Sequence, residues 1–123
     1  DQGLPPLIFG DGKTSMDFVY IGDCVRANLA ALKSDISDEV FNVATGVETS
    51  LNELCQIMLE QFGRTDLQPE YREERKINPV TRRLGGTEKA RTQLGFESKY
   101  DLAEGLRLLL EWRQEQKSAT LGV

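Results

Sequence analysis

Residues 7–33 read LIFGDGKTSMDFVYIGDCVRANLAALK, and the class of fold turns on how that stretch divides. Leu7-Ile8-Phe9-Gly10 is a short apolar strand, and Asp11-Gly12-Lys13-Thr14-Ser15 follows it with turn chemistry. Asp17-Phe18-Val19-Tyr20-Ile21 is rich in β-branched and aromatic residues, which predicts a second strand. Asp23 then stands where an N-cap belongs, ahead of a helix over 24–33 in which Val25, Leu29 and Leu32 recur at helical spacing.

Further along, Val40-Phe41-Asn42-Val43-Ala44 reads as another strand, closed by Thr45-Gly46. Ser50-Leu51-Asn52-Glu53 has the spacing of a capping box, opening a helix with Leu51, Leu54, Ile57, Met58 and Phe62 on one stripe and Gly63 as its stop. A short strand is expected within 67–71, then a loop broken by Pro79 and Gly85-Gly86. Thr87 is placed to cap a helix ending at Leu94 and Gly95. Asp101 to Glu104 repeats the capping-box spacing, and the last helix is expected to reach Lys117 with Leu102, Leu106, Leu109 and Trp112 facing inward. The sum is a small mixed α/β domain of short strands and about four helices.

The composition agrees with that class. At 123 residues, with 39% hydrophobic and 28% charged residues, the chain has the makings of one globular domain. No apolar stretch approaches the ~18 residues of a membrane span, and no secretory signal pattern is visible, so no membrane role is expected. Asp1-Gln2-Gly3-Leu4 does not resemble a natural start, and a true N-terminus upstream is expected. Cys24 and Cys55 both fall inside helical patterns, which suits buried thiols in a reducing cytoplasm. With no His in the chain, Ser-His and Cys-His catalysis and His-containing zinc sites are excluded for these residues.

The net charge of −5 is unevenly spread. Between Arg72 and Arg91 lie seven basic residues (Arg72, Arg75, Lys76, Arg82, Arg83, Lys89, Arg91) against three acidic ones (Glu73, Glu74, Glu88). An acidic body with one basic segment fits a local anion site, such as a phosphate, better than a nucleic-acid face.

The familiar nucleotide motifs are missing. Gly12-Lys13-Thr14 is not a P-loop, because position 7 is Leu where that motif needs Gly, and a strand rather than a helix is expected next. No Gly-x-Gly-x-x-Gly follows a strand, and Tyr20, Tyr71 and Tyr100 are followed four residues on by Cys24, Arg75 and Glu104 rather than by Lys. No complete active site emerges, and no catalytic, cofactor-binding or metal-ligating residue is assigned.

Longer runs of sequence carry more. Pro6-Leu-Ile-Phe-Gly-Asp-Gly12, Met16-Asp-Phe-Val-Tyr-Ile-Gly-Asp23 and Ala27-Asn28 resemble the start of the substrate-binding part of extended short-chain dehydrogenase/reductases. These are the NAD-dependent nucleotide-sugar epimerases and dehydratases, of the UDP-galactose 4-epimerase type. Phe41-Asn-Val-Ala-Thr-Gly46 with Glu48-Thr-Ser-Leu-Asn-Glu-Leu54 matches the family's next strand and helix. Arg82-Arg83-Leu84, Thr87, Lys89-Ala90, Leu94-Gly-Phe96, Leu102-Ala-Glu-Gly-Leu106 and Trp112 match its C-terminal end.

The resemblance implies the C-terminal lobe of a Rossmann-type enzyme, with residues 1–123 as a nucleotide-sugar-binding domain. An N-terminal lobe, absent from this chain, would hold NAD and the catalytic Tyr and Lys. It further implies that Leu7, Ile8 and Phe9 lie against the uracil, and that Arg75, Arg82 and Arg83 supply cations to a UDP-sugar diphosphate. The implied parent is a cytoplasmic homodimer that binds no nucleic acid, and the isolated chain would bind no NAD and be inactive. Two departures from the family pattern stand out: Met16 replaces an Arg, and Gly85-Gly86 replaces an Ala-Asp pair. The competing expectation is a stand-alone, non-catalytic α/β domain that binds an anion or a protein.

Overall fold

In the computed structural model, which describes residues 3–74 and 80–121, short strands frame four helices. The order is β1 (Leu7–Phe9), β2 (Ser15–Met16), α1 (Ile21–Lys33), β3 (Thr49–Ser50), α2 (Leu51–Gln61), β4 (Glu70–Arg72), β5 (Arg82–Arg83), α3 (Glu88–Leu94) and α4 (Leu102–Leu121). The chain is the mixed α/β domain expected from its sequence.

Two small sheets organise it. β1 pairs in parallel with β4, Ile8 opposite Tyr71, so the short strand expected within 67–71 exists but sits at 70–72. The second sheet has the order β3-β2-β5, antiparallel between β3 and β2 and parallel between β2 and β5. The glycine-rich turn joins the two sheets. Gly12 is buried there at φ +72, its carbonyl accepting from Asn52 N–H at 3.1 Å, while Asn52 Nδ2 donates to the Asp11 carbonyl at 3.1 Å. A Cβ on Gly12 would lie 2.0 Å from Asn52 Oδ1, so both the backbone angle and the space require glycine.

The capping box is present as read. Ser50 Oγ accepts from Glu53 N–H at 3.2 Å, and Ser50 N–H donates to Glu53 Oε2 at 2.7 Å. α3 ends at Gly95 in the left-handed conformation, as its glycine suggested. At the start of α4, Asp101 Oδ1 accepts from Glu104 N–H at 2.8 Å, but the Glu104 carboxylate turns to Arg107 at 2.7 Å instead of completing a box.

Several expectations are corrected. The strand expected over 17–21 gives way to β2 at Ser15–Met16, and α1 begins at Ile21. Asp23 therefore lies within the first turn of α1 instead of capping it; the cap is Tyr20, which makes no side-chain capping bond. Residues 40–44 form no ladder, and β3 lies beyond them at Thr49–Ser50. Arg82–Arg83, expected in a loop, form β5, and Thr87 precedes α3 without a side-chain capping bond. Leu109 and Trp112 of the expected inward stripe are 49% and 56% exposed, whereas Leu102 and Leu106 are half-buried.

The core explains why the helical stripes mislead. Ala27 of α1, Ala90 of α3 and Phe96 form its centre, with Phe41, Val43 and Leu94 packed around them. Because α1 approaches through an alanine, its larger residues Ile21, Val25, Leu29 and Leu32 remain at the surface. Asp23, with no exposed area at all, ties this layer to the start of α4 by accepting the N–H groups of Lys99 (2.9 Å) and Tyr100 (3.1 Å) and a bond from Arg26. Among the described residues, no helix is long and apolar enough to cross a membrane.

Candidate functional site: the sheet end around Arg83

Side chains alternate across a strand, and in-register neighbours share a face. Ser15 is paired with Arg82, and Met16 with Arg83. Ser15 and Arg82 meet the same partner: the Ser15 hydroxyl donates to Glu48 Oε1, and Arg82 approaches Glu48 through Nε at 2.7 Å and a terminal nitrogen at 2.6 Å. The Ser15 bond first, and Arg82 second, hold the Glu48 carboxyl below the usual carboxylate range. Glu48 thus straps β5 to β2 just ahead of β3, and Met16 and Arg83 occupy the opposite face.

At this end of the sheet an open cleft of about 410 Å³ is lined by Asp17, Asn42, Ala44, Arg82, Arg83 and Gly85. Asp17 extends the β2–β5 ladder by donating its N–H to the Arg83 carbonyl at 2.9 Å. Its carboxylate accepts from Thr45 N–H (2.9 Å), Thr45 Oγ1 (2.6 Å) and Gly46 N–H (2.8 Å), pinning the extended segment 40–46 to the sheet. Gly85 lets that segment approach closely: a Cβ there would lie 2.3 Å from the Ala44 Cβ. The glycine that departs from the family's Ala is thus matched to Ala44.

The expected anion cluster looks different once its partners are known. Arg72 pairs with Glu70 at 3.2 Å, Arg82 with Glu48, Lys89 with Glu39 at 2.6 Å and Arg91 with Glu88 at 2.6 Å. Arg83 is exposed and, among the described residues, is the one member of that basic segment with no ion pair. Arg75, with Lys76, lies outside the described residues.

Leu7, Ile8 and Phe9 sit in the other sheet. Ile8 is buried, Phe9 half-buried and Leu7 49% exposed, and together they line an apolar cleft of about 420 Å³ against Leu54 and Met58 of α2. Cys55 also lines this cleft, its thiol pushed up by burial; Cys24 is half-buried, and both thiols are free. Leu7, Ile8 and Phe9, expected to meet the base, and Arg82 and Arg83, expected to meet the phosphates, therefore line two separate clefts. Sequence reading did not single out Glu48, although its place two residues ahead of the Ser50 capping box put it beside β3.

A family model described as GDP-mannose 4,6 dehydratase matches residues 1–109. The chain therefore belongs to that family, within the NAD-dependent nucleotide-sugar epimerases and dehydratases of the extended short-chain dehydrogenase/reductase type. A putative UDP-glucose 4-epimerase of Methanocaldococcus jannaschii is 39% identical over 107 residues, covering 87% of this chain and 33% of the relative. The solved UDP-glucose 4-epimerase of Thermotoga maritima, with UDP-glucose, matches with a TM-score of 0.87 and 39% identity over 94% of this chain and 36% of its own. The Bacillus cereus UDP-glucuronic acid 4-epimerase, in complex with UDP-glucuronic acid and NAD, gives a TM-score of 0.83 at 25% identity, over 94% of this chain and 37% of that one. The chain thus spans about a third of the length of the relatives it matches.

NAD is the cofactor that this family implies. The described residues do not fit it: β5 runs through Gly85-Gly86 into α3, but that turn lacks the Gly-x-Gly-x-x-Gly pattern and α3 is a seven-residue helix that opens on the carboxylate of Glu88, which would oppose a pyrophosphate.

Proposed function

We propose that this chain is the C-terminal lobe of a longer NAD-dependent nucleotide-sugar epimerase or dehydratase, and that it binds and orients the UDP-sugar. The observation that carries this reading is the likeness to the Thermotoga maritima enzyme, which runs along 94% of this chain but only 36% of that one. The sequence also lacks the Tyr-x-x-x-Lys pair that would do the acid–base work. In this reading, residues 1–123 supply binding and orientation, and an N-terminal Rossmann lobe supplies NAD and the catalytic groups. Leu7, Ile8 and Phe9 contribute the apolar wall for the base, and the arginines at 75, 82 and 83 contribute the cationic side.

The surface supports a second lobe. Ile21, Val25, Leu29 and Leu32 form an apolar stripe along α1, at 69%, 51%, 47% and 80% exposure. We assign its cover to the N-terminal lobe, because about two thirds of each matched relative lies outside this chain. A homodimeric, cytoplasmic parent completes the reading, with both thiols reduced.

Calorimetric titration tests it. The longer enzyme is expected to bind both NAD and UDP-glucose, and the isolated chain to bind no NAD. Micromolar NAD binding by residues 1–123 alone would overturn the division of labour, and a longer enzyme that takes no nucleotide sugar would overturn the reading altogether.

A further inference from the structure

We infer that residues 40–44 form a ready-made sheet edge, and that the strand which pairs with it belongs to the N-terminal lobe; this rests on the reading of the chain as one lobe of a longer protein. Val40-Phe41-Asn42-Val43-Ala44 has the β-branched and aromatic make-up of a strand. Its burial alternates as a strand's does: Phe41 and Val43 pack against the Ala27, Ala90 and Phe96 core, whereas Asn42 is exposed and Val40 is 82% exposed. What it lacks is a ladder. Among the described residues, the amides of Phe41 to Ala44 donate to no acceptor, although Phe41 and Val43 are half-buried. Amides set against a core and left unpaired are costly, and a neighbouring strand is the structure that satisfies a row of them.

Both ends of the segment are held. Lys89 Nζ donates to the Val40 carbonyl at 3.0 Å, pairs with Glu39 at 2.6 Å and lies 5.0 Å from the centre of the Phe41 ring. At the other end, the Asp17 carboxylate accepts from the N–H groups of Thr45 and Gly46 and from the Thr45 hydroxyl. The edge is therefore extended before any partner arrives, which lowers the entropy lost on pairing.

Chain order names the partner. α1 runs through the connection 34–39 into this segment, and a helix followed by a short connection and a strand is the second half of a βαβ unit. The first strand of such a unit precedes the helix in the chain. Of the strands that precede α1 here, β2 has β3 and β5 on its two edges, and β1 lies in the other sheet with β4. The missing strand therefore lies upstream of residue 1, in the two thirds of each matched relative that this chain does not cover. A second copy of this chain is the rival occupant, and dilution separates the two.

Residue-resolved hydrogen exchange on the longer enzyme, without ligand, is the test. Neighbouring amides of a strand point to opposite edges, so a strand paired on one edge shields every second amide. Within 41–44, alternate amides are expected to exchange about a hundredfold or more slowly than those between them, and to keep that protection on dilution. Fast exchange at all four overturns the inference, as does equal protection of all four, the mark of burial without a ladder. Protection that disappears on dilution assigns the edge to a second copy and overturns it too. A longer enzyme that shows the alternation yet binds no UDP-glucose upholds the pairing and refutes only the nucleotide-sugar reading.

Discussion

Replacing Asp23 with Ala is expected to be among the most damaging single changes in this chain. The side chain has no exposed area, and it accepts from Lys99 N–H at 2.9 Å, from Tyr100 N–H at 3.1 Å and from the Arg26 guanidinium. Truncation leaves two backbone donors facing a methyl group, and an unsatisfied buried donor costs about 1–3 kcal/mol. Arg26, 46% exposed, can turn to water and adds little to the loss. The expected cost is about 3–5 kcal/mol, a large share of the ~5–15 kcal/mol that holds a typical domain together. Asn keeps one acceptor oxygen but sets an amide N–H against a backbone N–H, so about half that cost is expected for Asp23→Asn. Urea unfolding monitored by far-UV circular dichroism, with the slope compared between variants, reads both values. A loss below about 1 kcal/mol for Asp23→Ala would refute the claim that this carboxylate ties α1 to the start of α4.

Gly12→Ala is expected to cost about 2–4 kcal/mol, because φ +72 is unfavourable for Ala and the new Cβ evicts the Asn52 side chain from its bonds with Asp11 and Tyr71; unchanged unfolding would show that the turn relaxes freely. Ser50→Ala removes the acceptor of the capping box and is expected to cost about 1 kcal/mol, whereas Ser50→Thr, which keeps the hydroxyl that both accepts from Glu53 N–H and donates to its carboxylate, is expected to be nearly neutral in the same denaturation assay. Glu48, Glu53 and Glu104 all titrate below their ordinary value of 4.5, Glu48 through Ser15 and Arg82, Glu53 through the Ser50 amide and hydroxyl, and Glu104 through Arg107. The unfolded chain therefore takes up protons first as pH falls, so their stabilisation is complete above about 4.5 and lost through the lowered native values. The urea midpoint is expected to fall across that window, less steeply in Glu48→Gln, and equal slopes in the two proteins would count against the strap.

Much of the fold was legible in local chemistry. The Ser50–Glu53 spacing, the turn residues between Phe9 and Ser15 and the terminating Gly95 each act within a few residues of chain, so their structures follow from their own side chains. The same holds for membership in the family, because the order of short motifs is itself a property of sequence. The candidate site was legible as residue types only. Arg82 and Arg83 stood out as cations, but nothing in a pair of identical neighbours tells one from the other.

By itself the sequence determined a mixed α/β chain, the positions of four helices, an acidic body with one basic segment, and the absence of His and of a Tyr-x-x-x-Lys pair. Only the tertiary structure decided that residues 18–20 and 40–44 join no ladder, that Asp23 is a buried tie and not a cap, and that Glu48 pairs with Arg82 and not with Arg83. The reason is the range of the forces involved. Caps and turns satisfy hydrogen bonds within three or four residues, so their signals are local. A strand needs a partner supplied from elsewhere in the chain, and a buried carboxylate needs donors that here lie 76 and 77 residues away. Which arginine carries the ion pair is set by a carboxylate 34 residues before Arg82 and by the alternation of faces in a two-residue strand, and that pairing does not exist until the sheet has formed.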